Sequence, residues 1–216
     1  MICLANSKKY GERCIAGIEI TPKPAGGWQI VKEHGKPKWL RPVSSFSNHG
    51  EVKESEVENI DLLDIVEFEM TSQVGRGYQH ENVLFQKKSL QKISLIGQTA
   101  KNLNVLTDVA CSCLFGDTSR RILVRDIDKV KNSLVFLKVD AIQIYYPIVY
   151  KTMTPRAKIT FKNATYDLPV TDVKMIWKLY ENPKFLEGLE NLYCTFSLGV
   201  GFEGYHYKIA AGVIGF

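Results

Sequence analysis

The chain has 216 residues, 45% of them hydrophobic, 24% charged and 11% aromatic, with a net charge of +5. This composition excludes a disordered, collagenous or mucin-like chain and allows one large domain or two small ones. No apolar run is long enough to span a bilayer, and the opening residues MICLANSKKYGERC lack a secretory pattern, so a cytoplasmic protein with no membrane role is expected.

In chain order the signal is mainly β. Residues 2–6 are an apolar run. Residues 14–20 and 27–31 flank the Pro/Gly-rich stretch TPKPAGG, which predicts a hairpin connection. Residues 39–43 are extended, and Pro42 places them at a sheet edge or strand end. Residues 55–63 are expected to form a helix, with Ser55 as N-cap and Glu58 completing a capping box. Residues 63–70 alternate as a strand. Residues 81–86 are extended, whereas 87–94 suit a short helical turn. Alternation fades over 101–118, which places a boundary there between domains 1–108 and 109–216. Strands are expected over 121–124, 134–139 and 141–150. The sequence KITFKNATYDL predicts a tight hairpin turning at Lys162-Asn163-Ala164. Residues 172–180 give the clearest helix, capped by Asp172, with Val173, Ile176, Trp177 and Tyr180 at helical spacing, and it ends at Pro183. Strands over 191–198 and 205–214 close the chain. Each half thus holds several short strands and about one helix. That pattern predicts a mostly β fold with minor α, built as tandem Greek-key barrels.

The five cysteines, Cys3, Cys14, Cys111, Cys113 and Cys194, contain no C-x-x-C pair, and the four histidines supply no partner set at zinc spacing. Buried thiols in a reducing compartment are expected, with no metal and no cofactor.

Charge is segmental. Residues 1–50 carry eight Lys or Arg against three Glu, a net of +5, while 51–69 carry eight acids against Lys53, a net of −7. Residues 70–101 and 120–138 each return to +4. Basic segments sharing one face make an electrostatic track for phosphates. The acidic segment 51–69 is a candidate contact for a protein partner.

Four local signatures recur in order: Cys3-Leu-Ala-Asn-Ser-Lys-Lys with Arg13-Cys14-Ile15-Ala16-Gly17; Trp39-Leu40-Arg41-Pro42-Val43-Ser44; Leu62-Leu63-Asp64-Ile65-Val66 with Gln79-His80-Glu81-Asn82; and Tyr166-Asp167-Leu168-Pro169-Val170-Thr171-Asp172 with Phe196-Ser197-Leu198-Gly199. In this order and spacing the chain resembles the bacterial dual-OB-domain family over nearly its whole length. The resemblance implies two OB-like barrels and a role in binding nucleic acid or nucleotides, in bacterial defence or mobile-element settings. It implies no catalytic residue.

OB barrels hold single strands through a basic groove and aromatic faces that stack bases. The first half offers that chemistry. Asn6, Ser7, Lys8, Lys9 and Arg13 cluster at an early turn as donors to phosphate and hydroxyl groups. Trp39 and Arg41, two apart in an extended run, pair a ring with a guanidinium, and Ser44 adds a hydroxyl. Gln79, His80 and Asn82 offer amide and imidazole edges to bases. The leading expectation is a non-catalytic module that binds single-stranded DNA or RNA and acts beside a separate enzyme. Two other readings stay open. One is a small-nucleotide receptor or enzyme whose pocket gathers Asn6, Arg13, Arg41, His80 and Glu81. The other is an assembly subunit that docks a basic protein on residues 51–69.

Overall fold

Two adjacent residues of positive φ, Tyr10 at 48° and Gly11 at 87°, turn the chain back on itself near its start. Such a two-residue turn matches the twist of a hairpin. It joins β1 (Ile2–Lys9) to β2 (Glu12–Ile18), with Lys9 opposite Glu12 and Lys8 opposite Arg13. The structure is a computed structural model describing residues 1–47, 49–147 and 154–216. Its backbone divides into two units, Met1–Asp108 and Val109–Phe216.

In the first unit β2 leads into the hairpin β3 (Ile20–Pro22) and β4 (Trp28–Ile30), which forms around the Pro/Gly-rich stretch as the sequence predicts. The short pair β5 (Lys32–Glu33) and β6 (Lys36–Pro37) follows. Then β7 (Trp39–Val43) returns beside β2. After α1 (Glu54–Val57), β8 (Asp64–Glu67) pairs antiparallel with β1. β9 (Met70–Gln73) pairs with β10 (Asn82–Phe85), and β10 runs parallel to β7. β11 (Gln91–Leu95) lies on β8, and α2 (Ala100–Asn104) is capped by Thr99. The sheet order is β11-β8-β1-β2-β7-β10-β9. The core packs Cys3, Ile15, Leu40, Val57, Val66 and Val83 inside this curled sheet.

β1 and β2 approach closely because Gly17 has no side chain. A Cβ there would overlap the Ile2 carbonyl. A Gly17→Ala chain must pull β1 off β2, an overpacking cost of about 1–3 kcal/mol. The expected result is a lower urea midpoint with an unchanged m-value; an unchanged midpoint would show that the two strands can part freely.

Three expectations are corrected in this unit. The helix expected over 55–63 is one turn, Glu54–Val57, with Lys53 at the N-cap position and no side-chain cap. Instead of Ser55 capping the turn, the Glu12 carboxylate accepts from the Glu54 N–H at 2.6 Å. The helix ends at Val57, whose carbonyl, like that of Ile60, accepts from the Asn6 amide, and Leu63 then takes a positive φ of 74° on entry to β8. Residues 87–94 do not make a helical turn, since 91–95 are drawn into β11 by pairing with β8. The third concerns Pro42: β7 is interior, between β2 and β10. The Arg41 N–H donates toward β10, to the Glu81 carbonyl at 2.9 Å, so Pro42's missing N–H falls on the β2 side. Pairing with β2 stops at Leu40, and no ladder bond is lost.

In the second unit β12 (Arg121–Leu123) is followed in the chain by a longer run made of β13 (Leu134–Val139) and β14 (Ala141–Tyr145). The expected strand over 141–150 ends, among described residues, at Tyr145; residues 148–150 lie outside them. β15 (Arg156–Phe161) and β16 (Ala164–Pro169) form the predicted hairpin, with Phe161 opposite Ala164. After α3 (Val173–Glu181) come β17 (Leu192–Phe202) and β18 (Tyr205–Gly215). β13 pairs with β17 and β14 with β15, so one run of chain serves both sheets, and the Asp140 N–H between them donates to the Thr160 carbonyl at 2.9 Å. Val170, just past β16, bridges Ala210 of β18 in parallel.

Asp172 caps α3 as expected: its Oδ1 accepts from the Met175 N–H at 3.0 Å, and Oδ2 accepts from the Val213 N–H at 2.8 Å. The expected apolar stripe is corrected in part: Ile176 packs against the core as expected. Met175 and Leu179 face the core, while Trp177 and Tyr180 are 63% and 73% exposed and meet edge to face at 6.4 Å. Lys208 is wholly enclosed. Its ammonium donates to the Leu114 and Asp117 carbonyls at 2.8 and 2.7 Å, and burial lowers its pKa to about 8.

Candidate nucleic-acid interface

Both units follow one strand path. In the first, β1 pairs with β2 and β8, β2 with β7, and β7 runs parallel to β10, with α1 between β7 and β8 in the chain. In the second, the β13–β14 run pairs with β15 and β17, β15 with β16, and the end of β16 touches β18 in parallel, with α3 before β17. Barrels of this kind bind ligands on their second and third strands and on the loops joining strands one to two and four to five. In the first unit these elements are β2, β7, the Tyr10–Gly11 turn and residues 68–81.

Of the sequence-predicted residues, Arg13, Trp39, Arg41, Gln79 and His80 fall on these elements, whereas Asn6, Ser7, Lys8 and Lys9 lie on β1, Ser44 just past β7 and Asn82 on β10. At the turn, Lys8 is exposed and Lys9 half-buried, with its ammonium donating to the His49 carbonyl. Arg13 pairs with Glu54. Ser44 lies nearby at the exit of β7, where its hydroxyl accepts from the Phe46 N–H at 3.2 Å and its own N–H donates to the Gly50 carbonyl at 3.4 Å. Trp39, half-buried opposite Ile18, stands at the other end of β7, about five strand residues or roughly 17 Å along β2 from Arg13. Gln79 is half-buried, His80 is exposed, and the His80 carbonyl accepts from the Gln73 side chain.

Three predicted residues are turned inward. Asn6 is buried, and its amide donates to the Val57 and Ile60 carbonyls at 3.2 and 2.8 Å, tying β1 to the segment after α1. Ser7 is buried and donates to the Cys14 carbonyl. Arg41 meets Glu81 at 2.9 Å with side chains only 5% and 2% exposed, and it donates to the Asn82 Oδ1 at 3.4 Å. Burial beside this pair raises the Tyr78 hydroxyl pKa. Asn6 is thus held by Val57 and Ile60, Arg13 by Glu54, and Arg41 and Glu81 by each other. The acidic stretch is also engaged locally. Glu51 accepts from the His49 N–H, Glu54 pairs with Arg13, Glu56 accepts from the Lys88 N–H, and Asp64 pairs with Lys92.

Sequence reasoning missed the aromatic groups beside the lysines. The Tyr10 and His49 rings lie 4.3 Å apart at 31°, and Tyr10 is 61% exposed. Phe46 is 81% exposed, with the Lys87 ammonium 5.7 Å from its ring centre. The available signal was an aromatic residue directly after Ser7-Lys8-Lys9 and another in the polar stretch after β7. In the second unit, the Arg121 guanidinium stacks 3.6 Å from the Tyr205 ring, and Lys129 and Lys138 reach Asp126 and Asn191.

The repeated strand path defines a protein of two OB-type barrels, each mostly β with a helix before its fourth strand. A profile of the dual OB-containing domain family matches residues 1–213, and the chain belongs to that family. No curated protein and no solved structure matches it significantly. No helix among the described residues is long and apolar enough to cross a membrane.

Proposed function

We propose that the protein is a non-catalytic module that holds single-stranded nucleic acid on its first barrel and works beside a separate enzyme. The observation that carries this reading is a pair of exposed aromatic sites with lysines beside them: Tyr10 against His49 at the β1–β2 turn, directly after Lys8 and Lys9, and Phe46 beneath the Lys87 ammonium in the segment after β7. Bases stack on the rings, and the lysines neutralise phosphates at the rim. Arg41, closed in with Glu81, supports the frame behind this surface. Trp39, Gln79, His80 and Asn82 extend the path along β7 and β10.

The test is anisotropy of labelled DNA and RNA 12-mers at two salt concentrations. Affinity is expected to fall with salt at a log–log slope of about −0.7 per phosphate neutralised. Tyr10→Ala or Phe46→Ala should weaken binding by about 1–3 kcal/mol, and Lys8→Ala with Lys87→Ala should flatten the salt slope. Salt-insensitive binding, or variants that bind like the parent, would refute the assignment.

A further inference from the structure

The first barrel does not close. Among the described residues its fourth and fifth strands, β8 and β10, do not pair with one another, and each carries an added strand instead. The two added strands, β11 and β9, are the free edges of the same curled sheet. Both send a side chain into one cleft of about 320 Å³, Ile93 from β11 and Met70 from β9. Leu40 and Val66 form its apolar wall, and Trp28 of the β3–β4 hairpin stands at its side, 37% exposed. Free edges are normally guarded by charge, proline or cover. β9 (Met-Thr-Ser-Gln) is fully exposed and carries neither charge nor proline, and the single lysine of β11, Lys92, is turned to Asp64 at 2.9 Å. Ile93 and Leu95 of β11 are 45% and 62% exposed.

The geometry points to a docking site for an extended segment of a partner polypeptide, added as a strand at this opening with an apolar side chain in the cleft. Main-chain hydrogen bonds to the β9 or β11 edge provide attraction, and the cleft selects the side chain. Charge selects its flanks. The cleft is lined by the Glu19 and Glu67 carboxylates, Glu67 lies on an exposed position of β8, and Glu69 follows it. Glu19 is met at 2.6 Å by Lys38, and the Met1 ammonium on the cleft lining attracts Glu19 and Glu67, but with Glu69 the three carboxylates outnumber these two cations, which favours lysine or arginine beside the apolar anchor. This site is independent of the lysine and aromatic cluster at the β1–β2 turn.

The test uses the full chain and a labelled, end-blocked seven-residue peptide alternating lysine and leucine. Its controls are the glutamate–leucine counterpart and a lysine–leucine peptide N-methylated at alternate amides. The expected result is saturable binding of the first peptide, at least tenfold weaker binding of both controls, and slowed amide exchange in β9 and β11. Ile93→Lys, at an exposed position of β11, is expected to weaken peptide binding at least tenfold while leaving the circular dichroism and oligonucleotide affinity unchanged. Equal binding of the glutamate peptide, protection confined to the Lys8–Tyr10 turn, or no binding by the folded chain would overturn the proposal. A dimer in sedimentation equilibrium that Ile93→Lys dissolves would overturn it too, by giving the edges to a second copy.

Discussion

An Arg41→Ala chain is expected to lose about 3–5 kcal/mol of folding stability, because it strands the Glu81 carboxylate in a site that excludes water. The pair is held between strands distant in sequence: Arg41 lies on β7, and Glu81 immediately precedes β10, which runs parallel to it. Replacing both partners with methionine removes the stranded charge, so the double variant should be clearly more stable than either single alanine variant. Urea denaturation followed by circular dichroism measures all three. Under conditions where Arg41→Ala remains folded, its oligonucleotide affinity is expected to match the parent's. The opposite pattern, intact stability with lost affinity, would place Arg41 at the ligand rather than in the frame.

The second large effect belongs to Asp172. Its carboxylate caps α3 and also accepts from the Val213 N–H of β18, joining the helix to the closing strand. Asp172→Ala removes the cap, worth about 1 kcal/mol, and leaves a buried N–H without its acceptor, at about 1–3 kcal/mol. A loss of about 2–4 kcal/mol is therefore expected. The residue also sets a pH dependence. Burial, its largest influence, raises the Asp172 pKa from 3.8 to about 6 against the pull of the two N–H donors. The folded chain then holds a proton between pH 3.8 and 6 that the unfolded chain releases. The resulting contribution to stability is complete below the unfolded value and disappears as pH rises through the folded one, with a full span of about 3 kcal/mol. Asp172→Asn does not titrate, so the parent should gain stability relative to it on acidification from pH 7 to 4. A flat difference across that range would disprove the raised pKa.

Local chemistry made much of the fold readable. The KITFKNATYDL turn, the Pro/Gly-rich hairpin and the Asp172 cap each depend on residues within a few positions of one another, and each forms as expected. The misread elements depend on distant partners. β11 exists because β8 accepts it, and the carbonyls at and just past the end of α1 are taken by Asn6 of β1, far away in the chain. On α3 two apolar stripes compete, and periodicity favoured the one with the larger rings. The packed face is instead the one carrying Met175 and Leu179, on the side where Asp172 reaches Val213. The candidate surface was readable in the same limited way. Lys8 and Lys9 stand out in the sequence, but a buried Asn6 and an exposed Lys8 share one strand, and only the fold separates them. The sequence pairs Arg41 with Trp39 as a contact for nucleic acid, and the acid that holds it in the fold lies forty residues further along the chain.

The run from Leu134 to Tyr145 supplies an outer strand to each sheet of the second barrel. The two sheets are thus joined without a loop at Asp140, so a displacement of one border strand is passed along the backbone to the other. A cut at Asp140 would leave each strand hydrogen-bonded to its own sheet and would sever only the covalent link by which the two borders move together.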